Sequence, residues 1–180
     1  MSHKDYNLEI VGLLLRGPNH VRGIAQALGT NQTTIARKTA QLRKENVLDF
    51  KIEGKNKTFF LKKTTEARIH VYLWEHYTLL KTLKTYPFLR KLIDEAKKTE
   101  VLVLLFGSYA KGIAKEDSDI DLFVETIHNS LKEHFEQIDS RLSVQIGSYV
   151  KHSALIKEIE KNHVILNHVE EYYAKTSFFG

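Results

Sequence analysis

Apolar residues recur at helical spacing near the start of the chain, where Leu8, Val11, Leu14 and Leu15 predict a helix over residues 5–16. Gly17-Pro18-Asn19 ends it. Val21, Ile24, Ala25 and Leu28 predict a short second helix, closed by Gly29. Thr30 or Asn31 can cap a third helix, whose apolar positions are Ile35, Thr39 and Leu42. The period then changes. Residues 47–52 and 58–61 alternate as strands, and Gly54-Lys55-Asn56-Lys57 between them predicts a hairpin tip. Residues 65–98 return to helical spacing, with a break at Tyr86-Pro87, because proline disfavours helix in the residue before it. Ile69, Leu73, His76, Leu80 and Leu83 step by four and three, close to a heptad seam. The seam fits either a homodimer or a connector packed on its own two domains.

From Glu100 strands alternate with helices. Residues 101–106, 120–124, 142–146 and 164–166 read as strands, and 108–112, 129–140 and 153–161 as helical. The expected organisation is α+β or α/β in two domains. It has an N-terminal helical domain with a hairpin over 1–64, a helical linker over 65–98 and a small mixed-sheet core over 99–180.

Charge sharpens that division. The net charge is +5, but residues 1–98 hold 19 Lys/Arg against 9 Asp/Glu, whereas residues 99–180 hold 8 against 13. A basic front half fits a polyanionic partner and an acidic back half fits a cation site. The chain has no cysteine, which excludes a disulfide scaffold and any Cys-ligated zinc. No apolar segment approaches the length of a membrane span, and Met1 to Tyr6 lacks an apolar signal core. The expectation is a cytoplasmic protein with no membrane association.

Two short helices joined by a tight glycine-containing turn, a third helix and a basic hairpin over residues 5–63 resemble a winged helix-turn-helix domain. The resemblance implies double-stranded DNA as partner, with the third helix in the major groove. Asn31, Gln32, Thr33, Thr34, Arg37 and Lys38 occupy the first turns of that helix. Asn, Gln and Arg can make paired hydrogen bonds to base edges. Lys55 and Lys57 at the wing tip would bind phosphate. A winged helix used for protein contact is the competing reading.

The densest chemistry lies at Phe106-Gly107-Ser108 and Ser118-Asp119-Ile120-Asp121. Residues two apart on a strand share a face and lie about 6.5 Å apart, so Asp119 and Asp121 point the same way. Two carboxylates beside a Gly-Ser turn suggest a divalent cation next to a phosphate. Gly107, Ser108, Gly112, Ser118, Asp119 and Asp121 fall in register with a known signature. That signature resembles the minimal nucleotidyltransferase group of the DNA polymerase beta-like superfamily. It covers about the last 80 residues.

The resemblance implies that Asp119 and Asp121 are catalytic and hold Mg²⁺ (or Mn²⁺), a hard cation that prefers carboxylate and phosphate oxygens. It implies that Gly107, Ser108, Lys111, Gly112 and Ser118 bind a nucleoside triphosphate, with the amides after Gly107 at a helix N-terminus. Members of the group that catalyse usually carry a third acid on the next strand. Residues 141–147 offer only Ser143 or Gln145 there, and Asp139 precedes the strand. Members often pair with a small helical HEPN-type protein as antitoxin and toxin, so the resemblance implies that partner as the acceptor. The expected function is therefore a DNA-binding, Mg²⁺-dependent transferase of nucleoside monophosphate. The alternative is a transcriptional regulator whose degenerate domain only binds a nucleotide or a partner. The nine histidines show no ligand spacing, and Tyr172-Tyr173 is expected to pack rather than stack a base.

Overall fold

The computed structural model describes residues 4–54 and 56–180. The chain divides into two compact units, Met1–Trp74 with Phe179–Gly180, and Glu75–Phe178.

The first unit begins with α1 (Tyr6–Leu15), whose cap Asp5 accepts the Asn7 N–H at 2.9 Å. The helix buries Ile10, Val11 and Leu14. Gly12 is also buried, because any Cβ there would lie 2.2 Å from the Trp74 ring. A two-residue strand, β1 (Asn19–His20), leads into α2 (Val21–Leu28). The strand falls where the sequence predicts only a helix stop. His20 has a second task, since its Nδ1 accepts the Gly23 N–H at 2.8 Å and caps α2. α3 (Gln32–Lys44) is capped by Asn31, which accepts the Thr34 N–H at 2.7 Å. Ile35, Thr39 and Leu42 face inward as their spacing predicts. The buried Thr39 hydroxyl is satisfied by donating to the Ile35 carbonyl at 2.9 Å. β2 (Leu48–Glu53) and β3 (Asn56–Leu61) pair antiparallel, and β1 joins the other edge of β3 in the order β1-β3-β2. Because Glu53 pairs with Asn56 and Ile52 with Lys57, both Asn56 and Lys57 belong to the wing strand rather than to its tip. This helix order and hairpin make a winged helix-turn-helix-like fold.

α4 (Thr65–Thr85) runs on from the wing, and the division between the units falls within it. It buries Ala67, Val71, Glu75 and Leu79, so the heptad-like residues Ile69, Leu73 and Leu80 stay exposed. Pro87 stops the helix as expected. A 3-10 turn (Pro87–Leu89) and α5 (Arg90–Ala96) follow.

The second unit is built on a sheet ordered β6-β5-β4-β7, from β4 (Val103–Leu105), β5 (Ile120–Val124), β6 (Leu142–Ile146) and β7 (Val164–Ile165). β5 and β6 are parallel, and β4 is antiparallel to both β5 and β7. Between the strands lie α6 (Gly107–Lys111), α7 (Asn129–Glu136) and α8 (Ala154–Lys161), and α9 (Val169–Thr176) ends the unit. The short polar stretch after β7 hides α9 from the sequence pattern. One sheet face, Val103, Leu105, Ile120, Leu122, Val124, Leu142 and Val144, packs with Leu92, Ile93, Tyr109 and Phe135 in a single core. The alternate positions on the other face include Leu104, Phe123 and, at one end, Asp121 beside Ser143.

Asn167 ties down the entry to β4. Its Oδ1 accepts the Val103 N–H at 2.8 Å, while its Nδ2 donates to the Ala96 and Val101 carbonyls at 2.7 and 2.9 Å. Removing that side chain takes the partner from the Val103 N–H, at a cost of about 1–3 kcal/mol where water cannot reach it, while the Ala96 and Val101 carbonyls still accept from Thr99 at 2.8 and 3.3 Å. Asn167→Ala should therefore lower stability by about 1–3 kcal/mol in urea denaturation. A loss smaller than about 0.5 kcal/mol would show that water replaces the clamp freely.

Candidate functional site

β4 ends where the chain turns sharply into α6. Gly107 adopts φ +69°, in the left-handed region where side chains are disfavoured. A Cβ built on it would stand 2.0 Å from Asp121 Oδ2 and 2.9 Å from its Cγ. The glycine is therefore required twice, by its backbone conformation and by the carboxylate packed against it. The Phe106 N–H donates to the Asp121 carbonyl at 3.0 Å, which locks the turn to β5 at the same point. No side chain caps the first turn of α6. Ser108 is half-buried in that turn.

Gly112 has a narrower task. It closes α6 at φ +71° with open space where a Cβ would be, and the Ile113 N–H then returns to the Ser108 carbonyl at 3.1 Å. The loop that follows is held from inside. Ser118 Oγ accepts the Lys115 N–H at 2.8 Å, the Ser118 N–H donates to the Lys115 carbonyl at 3.1 Å, and the buried Tyr109 hydroxyl donates to the Ser118 carbonyl at 3.4 Å. Ser118 thus shapes the loop that presents Asp119. Asp119 itself is exposed just before β5, and Asp121 is half-buried within it.

Burial raises the Asp121 pKa above the ordinary carboxylate value. The negative charges of Asp119 and Glu158 push it in the same direction, and Lys111 opposes them. Lys111 Nζ lies 3.9 Å from Glu158 Oε1. Lys111 on α6, Asp119 at the β5 entry and Glu158 on α8 therefore all bear on Asp121. Glu158 is the member that sequence reasoning missed, because it lies 37 residues beyond Asp121 and nothing in the local pattern marks it.

The register settles what stands on the next strand. Ser143 is the β6 partner of Asp121, and Gln145 pairs with Phe123. Asp139 is turned to Arg141 instead, which donates through Nε at 3.1 Å and Nη2 at 2.8 Å. These hydrogen bonds hold the Asp139 pKa below its ordinary value. Among the described residues no group of three or more His, Asp or Glu side chains converges closely enough to hold a metal ion. The Asp121 carboxylate still offers hard oxygen donors against the Gly107 backbone, and with Asp119 two residues earlier the donor chemistry fits a Mg²⁺ bound partly by protein and partly by phosphate and water.

Residues 89–175 match the nucleotidyltransferase domain family. The matched span contains the Gly107 turn, both aspartates, the β6 register and α8. A search of curated proteins found no match. Among solved structures, the chain is similar to a homodimeric winged helix-turn-helix DNA-binding domain of Mb0332 from Mycobacterium bovis, described as a possible ArsR-family transcriptional regulator. The identity there is 26% over 39% of this chain, with a TM-score of 0.36, and the match spans 65% of that chain, under two thirds of its length. The repressor BigR from Xylella fastidiosa matches at 19% identity over 43% of this chain and 77% of its own, with a TM-score of 0.39. The adhesin competence repressor AdcR from Streptococcus pyogenes matches at 21% identity over 50% of this chain and 68% of its own, with a TM-score of 0.41.

In the winged-helix unit, Gln32, Thr33 and Arg37 are exposed on α3, and Thr34 and Lys38 are half-buried. Asn31 is exposed, but its side-chain oxygen is committed to the cap. Lys55 lies outside the described residues. A cleft of 640 Å³ runs between α3 and the wing, lined by His20, Arg22, Gln32, Arg43, Asn56 and Lys57 among others. Of the sequence-selected residues it collects Gln32 and Lys57. Arg43 and Lys57 flank the Phe50 ring, at 4.4 and 4.6 Å from its centroid, so cation–π contacts set both cations on one surface. His20, Arg22, Arg43 and Asn56 were not singled out from sequence. Gln32, Ala36 and Arg43, which all line the cleft, do recur at helical spacing, a signal that extends this side of α3 beyond its first turns.

Tyr172 and Tyr173 are 3% and 6% exposed and meet edge to face, and the Tyr173 hydroxyl donates to Glu75 at 2.5 Å. They pack. No helix among the described residues is long and apolar enough to cross a membrane.

Gly107→Ala provides a ligand-free check on the turn. The left-handed conformation alone costs roughly 1–2 kcal/mol for a residue with a Cβ, and the Asp121 carboxylate must also move. Thermal unfolding should show a loss of at least that size, and an unchanged melting temperature would mean that the turn relaxes without the aspartate.

Proposed function

We propose that the protein is a DNA-binding, Mg²⁺-dependent nucleotidyltransferase that passes a nucleoside monophosphate from a nucleoside triphosphate to an acceptor hydroxyl. The observation that carries this reading is the contact of Gly107 with the Asp121 carboxylate, which puts a backbone-only turn directly beside the metal-binding type of side chain. Gly107 and Ser108 would receive the triphosphate, where a side chain would block the approach. Lys111 stands on the same short helix to neutralise phosphate charge. Asp119 and Asp121 would hold the cation, which supplies charge neutralisation at the phosphorus and acidifies the attacking hydroxyl. In the transfer, the hydroxyl oxygen bonds to the α-phosphorus and the bond from that phosphorus to its bridging oxygen breaks. Pyrophosphate leaves with the electron pair, and the hydroxyl proton passes to water. The chain's contribution is positioning and electrostatics, as phosphoryl chemistry requires. The acceptor to test first is a HEPN-type partner protein.

A second reading has its own observation. Ser143 occupies the strand position beside Asp121, and Asp139 is paired with Arg141, so the strand carries no third free carboxylate. On this reading the protein is a transcriptional regulator whose transferase domain binds nucleotide or a partner without turnover. Incubation with each labelled nucleoside triphosphate and Mg²⁺, with and without the partner, separates the two. Wild type should label the acceptor, and Asp119→Ala with Asp121→Ala should reduce labelling by about a hundredfold or more. Nucleotide binding with no transfer in any combination would leave the regulator.

For double-stranded DNA, the exposed Gln32, Thr33 and Arg37 on α3, with Arg43 and Lys57 beside the cleft, support major-groove docking with phosphate contacts around it. The exposed Ile69, Leu73 and Leu80 on α4 support a homodimer, which would select a two-fold symmetric site. Against a site selected from a random pool, Arg37→Ala should lose about 1–3 kcal/mol in a fluorescence anisotropy titration. If wild type binds no duplex at low salt, the winged helix is a protein-contact module.

A further inference from the structure

His20 is held in place from two sides. β1 fixes its backbone against the wing, where Asn19 pairs with Phe59 and His20 with Thr58, the residue after Lys57. Asn19 Oδ1 accepts the His20 N–H at 2.8 Å, and His20 Nδ1 accepts the Gly23 N–H at 2.8 Å. A Cβ on Gly23 would lie 2.2 Å from Asn19 Oδ1 and 2.9 Å from His20 Nδ1, so the glycine lets both side chains close over the start of α2. Because Nδ1 commits its lone pair to the cap, the hydrogen bond assigns the ring proton to Nε2. No described residue accepts the Nε2 hydrogen, and the half-buried ring is not sealed from solvent. His20 lines the 640 Å³ cleft together with Arg22, Gln32, Arg43, Asn56 and Lys57. All six side chains carry N–H donors, and no acidic residue is among the described residues that line the cleft. Such a lining is suited to an anion.

We propose that this cleft seats a backbone phosphate of duplex DNA and that His20 binds it through Nε2–H as a neutral imidazole. The inference rests on the DNA-binding reading of the winged-helix unit. Arg43 and Lys57, set on one surface by Phe50, neutralise phosphate charge and release counterions. A neutral donor works differently. It adds a directed hydrogen bond to the phosphate oxygen and releases no counterion. A second proton, on Nδ1, would take the acceptor from the Gly23 N–H and cost α2 its cap. The same cap fixes the ring before DNA arrives, so little freedom is lost when the contact forms.

Fluorescence anisotropy of the full chain with a duplex selected from a random pool, over a series of salt concentrations at about pH 7, tests this. His20→Asn keeps a side chain that caps helices well but loses the ring donor. Its melting temperature should match wild type, and its affinity should fall about tenfold. Its slope of log K against log salt should stay that of wild type, whereas Arg43→Ala and Lys57→Ala should each make the slope shallower by about 0.9. Replacing single phosphates of the duplex by uncharged methylphosphonates locates the contact from the DNA side. At one linkage, the losses from the methylphosphonate and from His20→Asn should fall well short of additive. His20→Asn with wild-type affinity, or additive losses at every linkage, overturns the contact and leaves the DNA reading intact. A slope shallower by about 0.9 in His20→Asn overturns the neutral donor, since the ring would then act as a cation. If wild type binds no duplex at low salt, the DNA reading fails and this inference with it.

Discussion

The approach of the Asp121 carboxylate to a backbone with no Cβ, at Gly107, is the constraint on which the C-terminal unit depends. A carboxylate half-buried at a strand entry needs somewhere to put its charge, and desolvation already disfavours its ionised form. The sheet resolves this by ending β4 in a left-handed glycine and hydrogen-bonding Phe106 back to the Asp121 carbonyl. The space opened in this way is lined by backbone on one side and acid on the other. The same step begins α6, and so determines where Lys111 stands.

Everything around that contact is arranged to hold it still. The face of β5 opposite Asp121, with Ile120, Leu122 and Val124, is buried in the core with β4, β6 and α7. The loop between Gly112 and Asp119 is fastened by Ser118 and by the buried Tyr109 hydroxyl, and Arg141 donates to the Glu116 carbonyl at 3.3 Å while it pairs with Asp139. The acid nearest to the vacant strand position is therefore spent on loop structure. From α8 comes Glu158, whose Oε1 lies 3.9 Å from Lys111 Nζ, although the packing of that helix is apolar.

The winged-helix unit follows a different logic, in which polar residues cap and cations gather. Asp5, His20 and Asn31 each close a helix with a side chain, and two of these lie in the segments that a sequence reading would give to function or to a turn. Aromatic Phe50 then holds Arg43 and Lys57 on one surface, which concentrates the positive charge of the front half beside the exposed side of α3.

Local order was legible in the sequence wherever one residue's choice is decided by its near neighbours. The three helices, the wing, the break at Pro87 and the Gly-Ser and Asp-x-Asp segments all rest on period, capping and turn chemistry within about ten residues. The pairing of Asp121 with Ser143 instead of an acid was foreseen as a strand lacking a carboxylate, because alternation along β6 leaves only Ser143 or Gln145 on that face. What the tertiary structure decided is of longer range. β1 forms only because β3 offers it an edge, α4 exposes its heptad-like stripe because Ala67, Val71, Glu75 and Leu79 take the buried side, and Asn167 clamps a strand start 64 residues earlier in the chain. Glu158 meets Lys111 for the same reason. A charge's effect depends on distance in space, and no spacing along the chain records which helix the sheet will bring beside Asp121.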